Sequence, residues 1–201
     1  ALVCEDGSMF GEEYTLVACA DYVLGKLGGG NTVSNLSSSR ALRDVTEKHG
    51  GTYTASAVGE VNVVIKMKET NTGIGGEGNG GIILPASHYG RDSLVGVALF
   101  LSHMATTKIS CKALRESYPS YFMSKNKIQL TPQIDVDKIL EIMATKYANE
   151  EVNTIDGVKI DFESQWVHLR KSNTEPIIRI YTELSLIHIS EPTRRTPISY
   201  A

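Results

Sequence analysis

The first 120 positions of the chain alternate between two hydrophobic periods. Apolar residues that recur every three or four positions predict amphipathic helices over residues 12–25, 41–49 and 61–67. Short apolar runs predict strands near residues 32–33, 52–55 and 82–84. Because strands that alternate with helices form layered folds, this region predicts an α/β domain of three layers over residues 31–119.

A fourth helix is predicted over residues 93–105, with Asp92 as its N-cap. Its apolar residues occupy nearly every side, so we expect most of its faces to be buried. A further helical segment, residues 108–117, follows it and ends before Pro119.

The pattern changes after residue 120. A strand is predicted over residues 121–130, and apolar residues from Val136 to Tyr147 form one face of a helix. Three short strands, separated by turns, follow over residues 158–162, 166–169 and 177–181. This order predicts a second, small α+β domain with an antiparallel sheet over residues 120–183.

The two ends of the chain fit these patterns poorly. The opening run Ala1 to Cys4 resembles the second half of a strand, and amphipathic patterning stops at Glu183. The string that begins at Leu184 resembles translated sequencing-adapter read-through. We therefore expect a chain that is cut at both ends, and we interpret residues 184–201 as an artefactual tail.

Composition and charge exclude several classes of protein. With 41% hydrophobic and 21% charged residues, the chain is too apolar for an intrinsically disordered protein. A net charge of -3 gives no broad cationic field, so we predict neither nucleic acid nor a membrane as a partner. No apolar stretch approaches the roughly 18 residues of a membrane span, and we predict a cytoplasmic location. The three cysteines and five histidines share no ligand spacing, so no metal site is predicted.

A glycine-rich segment, Gly73 to Gly81, surrounds Glu77 and Asn79. It matches the G-x-G-x-x-G expression of dinucleotide-binding folds, but that fingerprint requires a helix directly after the glycines, and a strand is predicted there. A flexible backbone that presents a carboxylate and a carboxamide suits neighbouring sugar hydroxyls, because together the two groups accept and donate hydrogen bonds. The alternative is a surface turn with incidental polar residues.

A second polar segment, Arg170-Lys171-Ser172-Asn173-Thr174-Glu175-Pro176, lies between two predicted strands and precedes Arg179. Guanidinium groups bind phosphate dianions through paired hydrogen bonds, and hydroxyl, amide and backbone N–H groups satisfy the remaining oxygens. The alternative is a solvated turn in which Arg170 pairs with Glu175. The residues predicted to bind a phosphate monoester are Arg170, Ser172, Asn173, Thr174 and Arg179.

The pairing of Glu77-Gly78-Asn79-Gly80 with the segment from Arg170 to Pro176 resembles the α-D-phosphohexomutases. This resemblance implies that residues 31–119 are the family's third, sugar-binding domain and that residues 120–183 are its fourth, phosphate-binding domain. Residues 1–30 would then be the remnant of a second domain, which holds the metal loop, together with a linker.

The resemblance also implies an activity. Members of the family interconvert hexose 6-phosphates and hexose 1-phosphates through a bisphosphorylated intermediate, using a phosphoserine and Mg2+ held by an aspartate loop. Because the chain contains neither segment, we expect a fragment that binds hexose phosphate, holds no Mg2+, is inactive alone and has its missing N-terminal domains as partners. The residues that the resemblance implies for the sugar are Glu77, Asn79, Gly80, Gly59, Glu60 and Arg40.

The identity of the sugar stays open. The family's sugar loop more often reads Glu-x-Ser-Gly-His, whereas Asn79 and Gly81 stand here in place of the serine and the histidine. The phosphoglucosamine mutases are the favoured subgroup, with the phosphomannomutases and phosphoglucomutases as alternatives. A non-catalytic sugar-phosphate binding module is a second hypothesis. A nucleotide-dependent oxidoreductase, which would need a helix directly after Gly78, is the third.

Overall fold

The computed structural model describes residues 1–131, 134–172 and 175–185, which form two sheets with helices packed against them. The first part contains α1 (Glu12–Leu27), β1 (Thr32–Asn35), α2 (Ala41–Lys48), β2 (Tyr53–Ser56), α3 (Glu60–Glu69), β3 (Ile74–Glu77), β4 (Gly81–Ile83), α4 (Ser93–Thr107) and α5 (Cys111–Glu116). The second part contains β5 (Tyr121–Gln129), α6 (Val136–Lys146), β6 (Glu151–Asn153), β7 (Val158–Asp161), β8 (Gln165–Lys171) and β9 (Ile177–Ser185).

The first sheet has the strand order β2-β1-β3-β4. Strand β1 is parallel to β2 and β3, and β4 is antiparallel to β3. Helices α1, α2 and α4 share a core with one face of the sheet, which includes Leu16 and Phe100, and α3 packs on the other face through Val63 and Met67. The predicted three-layer α/β domain is therefore confirmed.

Helix α1 packs into this domain, although the sequence suggested a boundary at residue 30. Its buried Leu16 and Leu24 belong to the same core as α2 and α4. The glycines that suggested a linker have another role, because Gly28 is the left-handed C-cap of α1 with φ 72° and the chain enters β1 directly afterwards. The continuous apolar core, and not the glycine content, sets the extent of the domain.

The glycine-rich segment forms the buried interior strand β3, where a flexible loop was expected. A Cβ atom on Gly75 would lie 2.6 Å from the carbonyl oxygen of Val33, and one on Gly76 would lie 1.9 Å from that of Gly81. Glycine is required here because neighbouring backbones approach too closely for a side chain. Strand β4 follows the glycines, so the condition for a dinucleotide-binding fingerprint is not met.

Helix α4 is exposed on one face, contrary to the expectation from its composition. Asp92 caps the helix as predicted, and its Oδ1 accepts from the backbone N–H of Leu94 at 2.9 Å. Phe100 is buried, whereas Leu94, Val97 and Leu101 are 79%, 49% and 58% exposed. The composition of a helix shows that every face could be buried. It does not show whether other elements of the fold pack against each face. Within the described ranges, neither α4 nor any other helix has the length and apolarity needed to cross a membrane.

The second sheet is antiparallel, with the strand order β5-β9-β8-β7-β6. Helix α6 covers one face through a core that contains Val136, Leu169 and Ile178. On the opposite face, Lys125 and Tyr181 are cross-strand neighbours that turn toward the α/β domain. The predicted small α+β domain is therefore confirmed, with β6 as a strand that the sequence did not reveal.

Strand β9 continues through Leu184 and Ser185, past the end that was predicted at Glu183. These two residues pair with Phe122 and Tyr121 of β5. Residues 186–201 lie outside the described residues, so the interpretation of that segment as read-through stays a prediction.

A buried arginine joins the two domains. Arg40 precedes α2, is 7% exposed and donates its backbone N–H to Glu183 Oε1 at 3.0 Å. Because every one of its described guanidinium acceptors lies in the second domain, Arg40 fixes the two domains against each other. Those acceptors are Asp161 Oδ1 at 2.9 Å, Phe162 O at 2.6 Å, Gln165 O at 3.1 Å and Glu163 O at 3.2 Å.

The chain segment that connects the domains is itself held by the first domain. The hydroxyl of Tyr14 in α1 donates to Pro119 O at 2.7 Å and accepts from the backbone N–H of Tyr121 at 3.0 Å. The hydroxyl of Tyr121 donates to Asp44 Oδ2 of α2 at 2.6 Å. The connection is thus tied to two helices at the point where β5 begins.

Candidate functional site

A cavity of about 140 Å³ lies between the two domains at the carboxyl ends of the parallel strands. Strands β1 and β3 end there at Asn35 and Glu77, and Val58 follows β2. Ligands of open α/β sheets bind at this edge, because the loops that leave parallel strands converge there. The residues that line the cavity are Glu13, Asn35, Ser37, Val58, Glu77, Gly78, Asn79, Lys125 and Tyr181.

Glu77 presents a fixed carboxylate to this cavity. Its Oε1 accepts from Asn35 Nδ2 at 3.0 Å and from the backbone N–H of Gly59 at 3.3 Å, and Arg91 Nη1 lies 3.4 Å from Oε2. Glu77 is only 6% exposed. A carboxylate offers about four acceptor positions, so these three donors leave room for a ligand hydroxyl.

Gly59 and Glu60 reach Glu77 in different ways. Gly59 contacts it directly through its backbone N–H. Glu60 instead binds Arg91, whose Nε lies 2.8 Å from Oε2 and whose backbone N–H lies 3.0 Å from Oε1. These hydrogen bonds from Arg91 hold the pKa of Glu60 below its usual range. The structure therefore places Glu60 behind Arg91, and it adds Arg91 to the residues that the sequence indicated.

Asn79 and Gly80 form the turn that follows Glu77. The backbone N–H of Gly80 donates to Glu77 O at 3.1 Å, and Gly80 adopts φ 84°, a conformation that glycine accepts readily. Asn79 Oδ1 accepts from the backbone N–H of Gly81 at 3.1 Å, which closes the turn and leaves Asn79 lining the cavity. The structure thus brings Glu77, Asn79, Gly80 and Gly59 together, and their role in binding the sugar stays a prediction.

Four cavity residues had no signal in the sequence: Asn35, Glu13, Lys125 and Tyr181. Glu13 lies against the turn so closely that a Cβ atom on Gly78 would be 2.1 Å from its Oε2. That oxygen accepts from the backbone N–H of Ser39 at 2.9 Å, and Lys125 Nζ lies 3.7 Å from Oε1. Burial raises the pKa of Glu13 to about 7. Lys125 and Tyr181 come from neighbouring strands of the other domain.

The predicted phosphate-binding residues lie on β8, on β9 and in the turn between them. Arg170 and Arg179 are directly opposite in the register of β8 and β9, so both side chains lie on the same face of the sheet. Arg179 Nη2 donates to Glu175 Oε2 at 2.9 Å. The alternative of a solvated turn required Glu175 to pair with Arg170, and the structure pairs it with Arg179 instead. Ser172 is buried and its backbone N–H donates to Ile177 O at 3.0 Å.

Two predicted phosphate ligands, Asn173 and Thr174, lie outside the described residues. Their role therefore stays a prediction from the sequence. Arg170, which precedes them, is 15% exposed, and its Nη1 donates to Asp156 Oδ2 at 3.1 Å.

The walls predicted to bind the sugar and the phosphate adjoin across the domain boundary. Asp156 Oδ2 accepts from Arg170 and also from the backbone N–H of Val58, at 2.9 Å. Close by, the hydroxyl of Ser37 lies 2.9 Å from Nδ1 of the buried His168. The loop before Gly59 and the guanidinium of Arg170 are thus joined by a single carboxylate oxygen.

Arg40 does not belong to this cavity, although the resemblance implied a contact with the sugar. Its guanidinium is occupied by acceptors of the second domain, and it lines a separate cavity of about 320 Å³ with Arg43, Tyr53 and Lys159. The buried domain contact accounts for the position of this guanidinium.

The described residues bring together no group of three or more His, Cys, Asp or Glu side chains that could hold a metal ion. The expectation that this part of the chain holds no Mg2+ stays a prediction.

Comparison with known proteins identifies the family to which both domains are similar. The family description "Phosphoglucomutase/phosphomannomutase, alpha/beta/alpha domain III" matches residues 11–121. The description "Phosphoglucomutase/phosphomannomutase, C-terminal domain" matches residues 126–185. The first match includes α1, in agreement with the packing of that helix.

Individual relatives match most of this chain but only part of their own length. The chain is 34% identical over 181 residues to a phosphoglucomutase/phosphomannomutase of Thermococcus kodakarensis, covering 89% of this chain and 39% of the relative. It is 35% identical over 153 residues to a phosphoglucosamine/phosphogalactosamine mutase of Sulfurisphaera tokodaii, covering 75% and 34%.

Among solved structures, a phosphoglucomutase/phosphomannomutase family protein from Burkholderia thailandensis superposes with a TM-score of 0.76 at 24% identity. The superposition covers 91% of this chain and 39% of that one, and it supports the fold. The chain thus spans less than half the length of the relatives it matches. Because the two descriptions match consecutive parts of it, the chain belongs to the phosphoglucomutase/phosphomannomutase family, with the sequence of its third and C-terminal domains.

Proposed function

We propose that this chain is the substrate-binding part of a cytoplasmic phosphohexomutase, which interconverts hexose 6-phosphate and hexose 1-phosphate through a bisphosphorylated intermediate. Glu77 and Asn79 contact the sugar hydroxyls, and the segment from Arg170 to Arg179 holds the phosphate that is not reacting. The observation that carries the proposal is the shared oxygen of Asp156, which joins Val58 to Arg170 and so brings both walls to one cleft.

The arrangement suits a substrate that is bound in two orientations. A bisphosphorylated hexose must turn around between the two transfers, so the distal clamp receives each phosphate in turn. Charge-assisted hydrogen bonds are worth about 1.5–3 kcal/mol each, which allows a few of them to hold a phosphate dianion. Glu77 and Asn79 accept and donate hydrogen bonds, so they can bind adjacent hydroxyls in either orientation. Phosphoryl transfer depends on such positioning.

We propose an amino-sugar phosphate as the substrate, ahead of mannose or glucose phosphates. Several relatives are named as phosphoglucosamine mutases, among them those of Sulfurisphaera tokodaii and Methanopyrus kandleri. Glu13 supports this choice, because its buried Oε1 lies beside Gly78 and accepts no hydrogen bond within the described part of the chain, with the Lys125 ammonium 3.7 Å away. An ammonium group on the sugar would be a suitable partner for that carboxylate.

Calorimetric titration of the chain with sugar phosphates tests the proposal. We expect glucosamine 6-phosphate to bind more tightly than glucose 6-phosphate or mannose 6-phosphate, and unphosphorylated glucosamine to bind weakest. Arg170→Met should weaken binding of the phosphorylated sugars by about tenfold or more. Lys138→Met is the control for loss of a cation, because Lys138 is exposed on α6, which covers the sheet face opposite Arg170. Equal affinity for glucosamine with and without phosphate would refute the proposal.

A further inference from the structure

Asp156 lies in the turn between β6 and β7, where its side chain touches both walls of the cleft. It is 23% exposed, and its Oδ2 accepts from Val58 N at 2.9 Å and from Arg170 Nη1 at 3.1 Å. The first donor belongs to the backbone loop that leads to Gly59, and the second belongs to the phosphate-binding wall. A single oxygen atom therefore sets the distance between the two.

The backbone carbonyl of Asp156 makes a third connection across the same boundary. His168 Nε2 lies 2.7 Å from this carbonyl and must donate to it, because a carbonyl oxygen can only accept. Burial lowers the pKa of His168, so the neutral ring accepts the Ser37 hydroxyl at Nδ1, 2.9 Å away. Ser37 lines the cavity beside Glu77, so the turn also holds this part of the sugar-binding wall in place.

The turn itself has little freedom to shift. Gly157 adopts φ 75°, and a Cβ atom there would lie 2.2 Å from Leu169 O and 2.9 Å from Arg170 Cα. The turn is therefore pressed against β8 beside the arginine that Asp156 binds. Asp156 occupies only Nη1 of that arginine, and Arg170 Nε makes no hydrogen bond within the described residues.

We propose that Asp156 is a positioning residue that acts through Arg170 and Val58. It orients the guanidinium and sets its spacing from the sugar-binding loop, so that sugar and phosphate are recognised together. This inference rests on the proposed function, because it concerns the same cleft. A residue of this kind is needed because the two walls come from different domains, and small errors in their spacing weaken binding of a ligand that touches both.

A positioning role predicts that substitution of Asp156 changes the affinities for two ligands differently. A structural or purely electrostatic role predicts that both affinities change in the same direction. A hexose phosphate contacts both walls, whereas inorganic phosphate contacts Arg170 and its neighbours alone. In Asp156→Ala the spacing and the orientation are lost, but the positive charge stays and a nearby negative charge is removed. We therefore expect glucosamine 6-phosphate affinity to fall by about tenfold or more, with inorganic phosphate affinity unchanged or increased.

The test is calorimetric titration of the wild-type chain, Asp156→Ala and Asp156→Asn with glucosamine 6-phosphate and with inorganic phosphate. Asp156→Asn retains an oxygen that can accept from Val58, so we expect an intermediate loss for the sugar phosphate. Glu141→Ala is the control, because Glu141 is exposed on α6, on the sheet face opposite Arg170, and should leave both affinities unchanged. Thermal unfolding establishes that each variant is folded, and Asp156→Asn serves if the alanine variant is not.

Three outcomes would overturn this inference. Both affinities falling by the same factor would indicate a structural role, both rising would indicate charge alone, and no change for the sugar phosphate would exclude positioning. If wild-type chain binds neither ligand, the proposed function fails first and this inference fails with it. If wild-type chain binds the sugar phosphate but the ratio of affinities does not change in the variants, this inference alone fails.

Discussion

Replacing Arg40 by alanine should weaken the contact between the two domains and lower the free energy of unfolding. The side chain is 7% exposed and its guanidinium makes four hydrogen bonds to the second domain, one of them to Asp161. The substitution removes all four and leaves three carbonyl oxygens and a carboxylate without this donor. The Asp161 side chain is only 13% exposed, so water cannot fully replace the guanidinium.

The size of the effect follows from the burial of this ion pair. Removing one partner of a buried, hydrogen-bonded charge pair costs roughly 3–5 kcal/mol. Four separate bonds to a charged group would add up to more than this, but such contributions are not additive. Lys159 Nζ also lies 3.5 Å from Asp161 Oδ2 and compensates in part. We therefore expect Arg40→Ala to lower the free energy of unfolding by about 3–5 kcal/mol.

Urea denaturation, followed by fluorescence and by far-UV circular dichroism, measures this loss. Trp166 is the only tryptophan in the chain, is fully buried and donates to Glu183 Oε1 at 2.7 Å, so its fluorescence reports on the domain contact. The urea midpoint should fall by roughly 1–3 M. Arg43→Ala, in the helix that Arg40 precedes, is the matched control, because Arg43 makes no ion pair with any described residue. We expect a change within about 0.5 kcal/mol.

The reasoning would be refuted if Arg40→Ala lost less than about 1 kcal/mol, no more than Arg43→Ala. In that case the hydrogen bonds would be present without stabilising the domain contact. If Arg40→Ala instead shows the expected loss, a double-mutant cycle with Asp161→Asn measures how much of it depends on that carboxylate, and we expect a coupling of about 1–3 kcal/mol.

Two further predictions concern single buried groups. Burial raises the pKa of Glu13 to about 7 from a reference of 4.5, so the folded chain binds this proton more tightly than the unfolded chain does, and stability falls as pH rises between these values. Glu13→Gln should remove that part of the pH dependence in urea denaturation at pH 5 and pH 8; an unchanged slope would contradict this. Gly76→Ala should cost about 1–3 kcal/mol or more, since its Cβ would meet Gly81 O. Gly25→Ala, in α1, is the control, because its added Cβ atom would have its nearest contact at 3.6 Å, and we expect it to be neutral or stabilising. Thermal unfolding measures both variants, and an equal loss of stability in the two would refute the steric argument.

The sequence predicted the elements that carry their own periodicity. Helix α1 begins at Glu12 and α4 at Ser93, as expected, because apolar spacing and the Asp92 cap are local properties. Strand β6 has only three residues, too few for a pattern. Strand β3 was missed for another reason: Gly75 and Gly76 resemble a loop, yet they are glycines because adjacent backbones and side chains occupy the space of a Cβ atom.

The candidate site could be predicted only in part. The chemistry of Glu77 and Asn79 was evident from residue type, and the structure places both on the same cavity. Glu13 and Lys125 line this cavity from a helix start and a strand, and Asp156 contacts the lining residue Val58 from a turn. All three resemble ordinary surface positions in the sequence. Arg40 is the opposite case, a residue that was expected in the site and lies outside the cavity. A basic residue after several serines suits a ligand contact as well as a buried domain contact. Tertiary packing decides between such alternatives, and local patterns do not contain it.

The tyrosine contacts at the domain connection bear on how the cleft can open. A rotation about this hinge would first break the bonds of Tyr14 to Pro119 and Tyr121, and that of Tyr121 to Asp44. The relative placement of the walls is therefore preorganised by folding, and a ligand need not supply the entropy of docking them. If the cleft binds a sugar phosphate as proposed, side-chain adjustment within it is a change that leaves these hydrogen bonds intact.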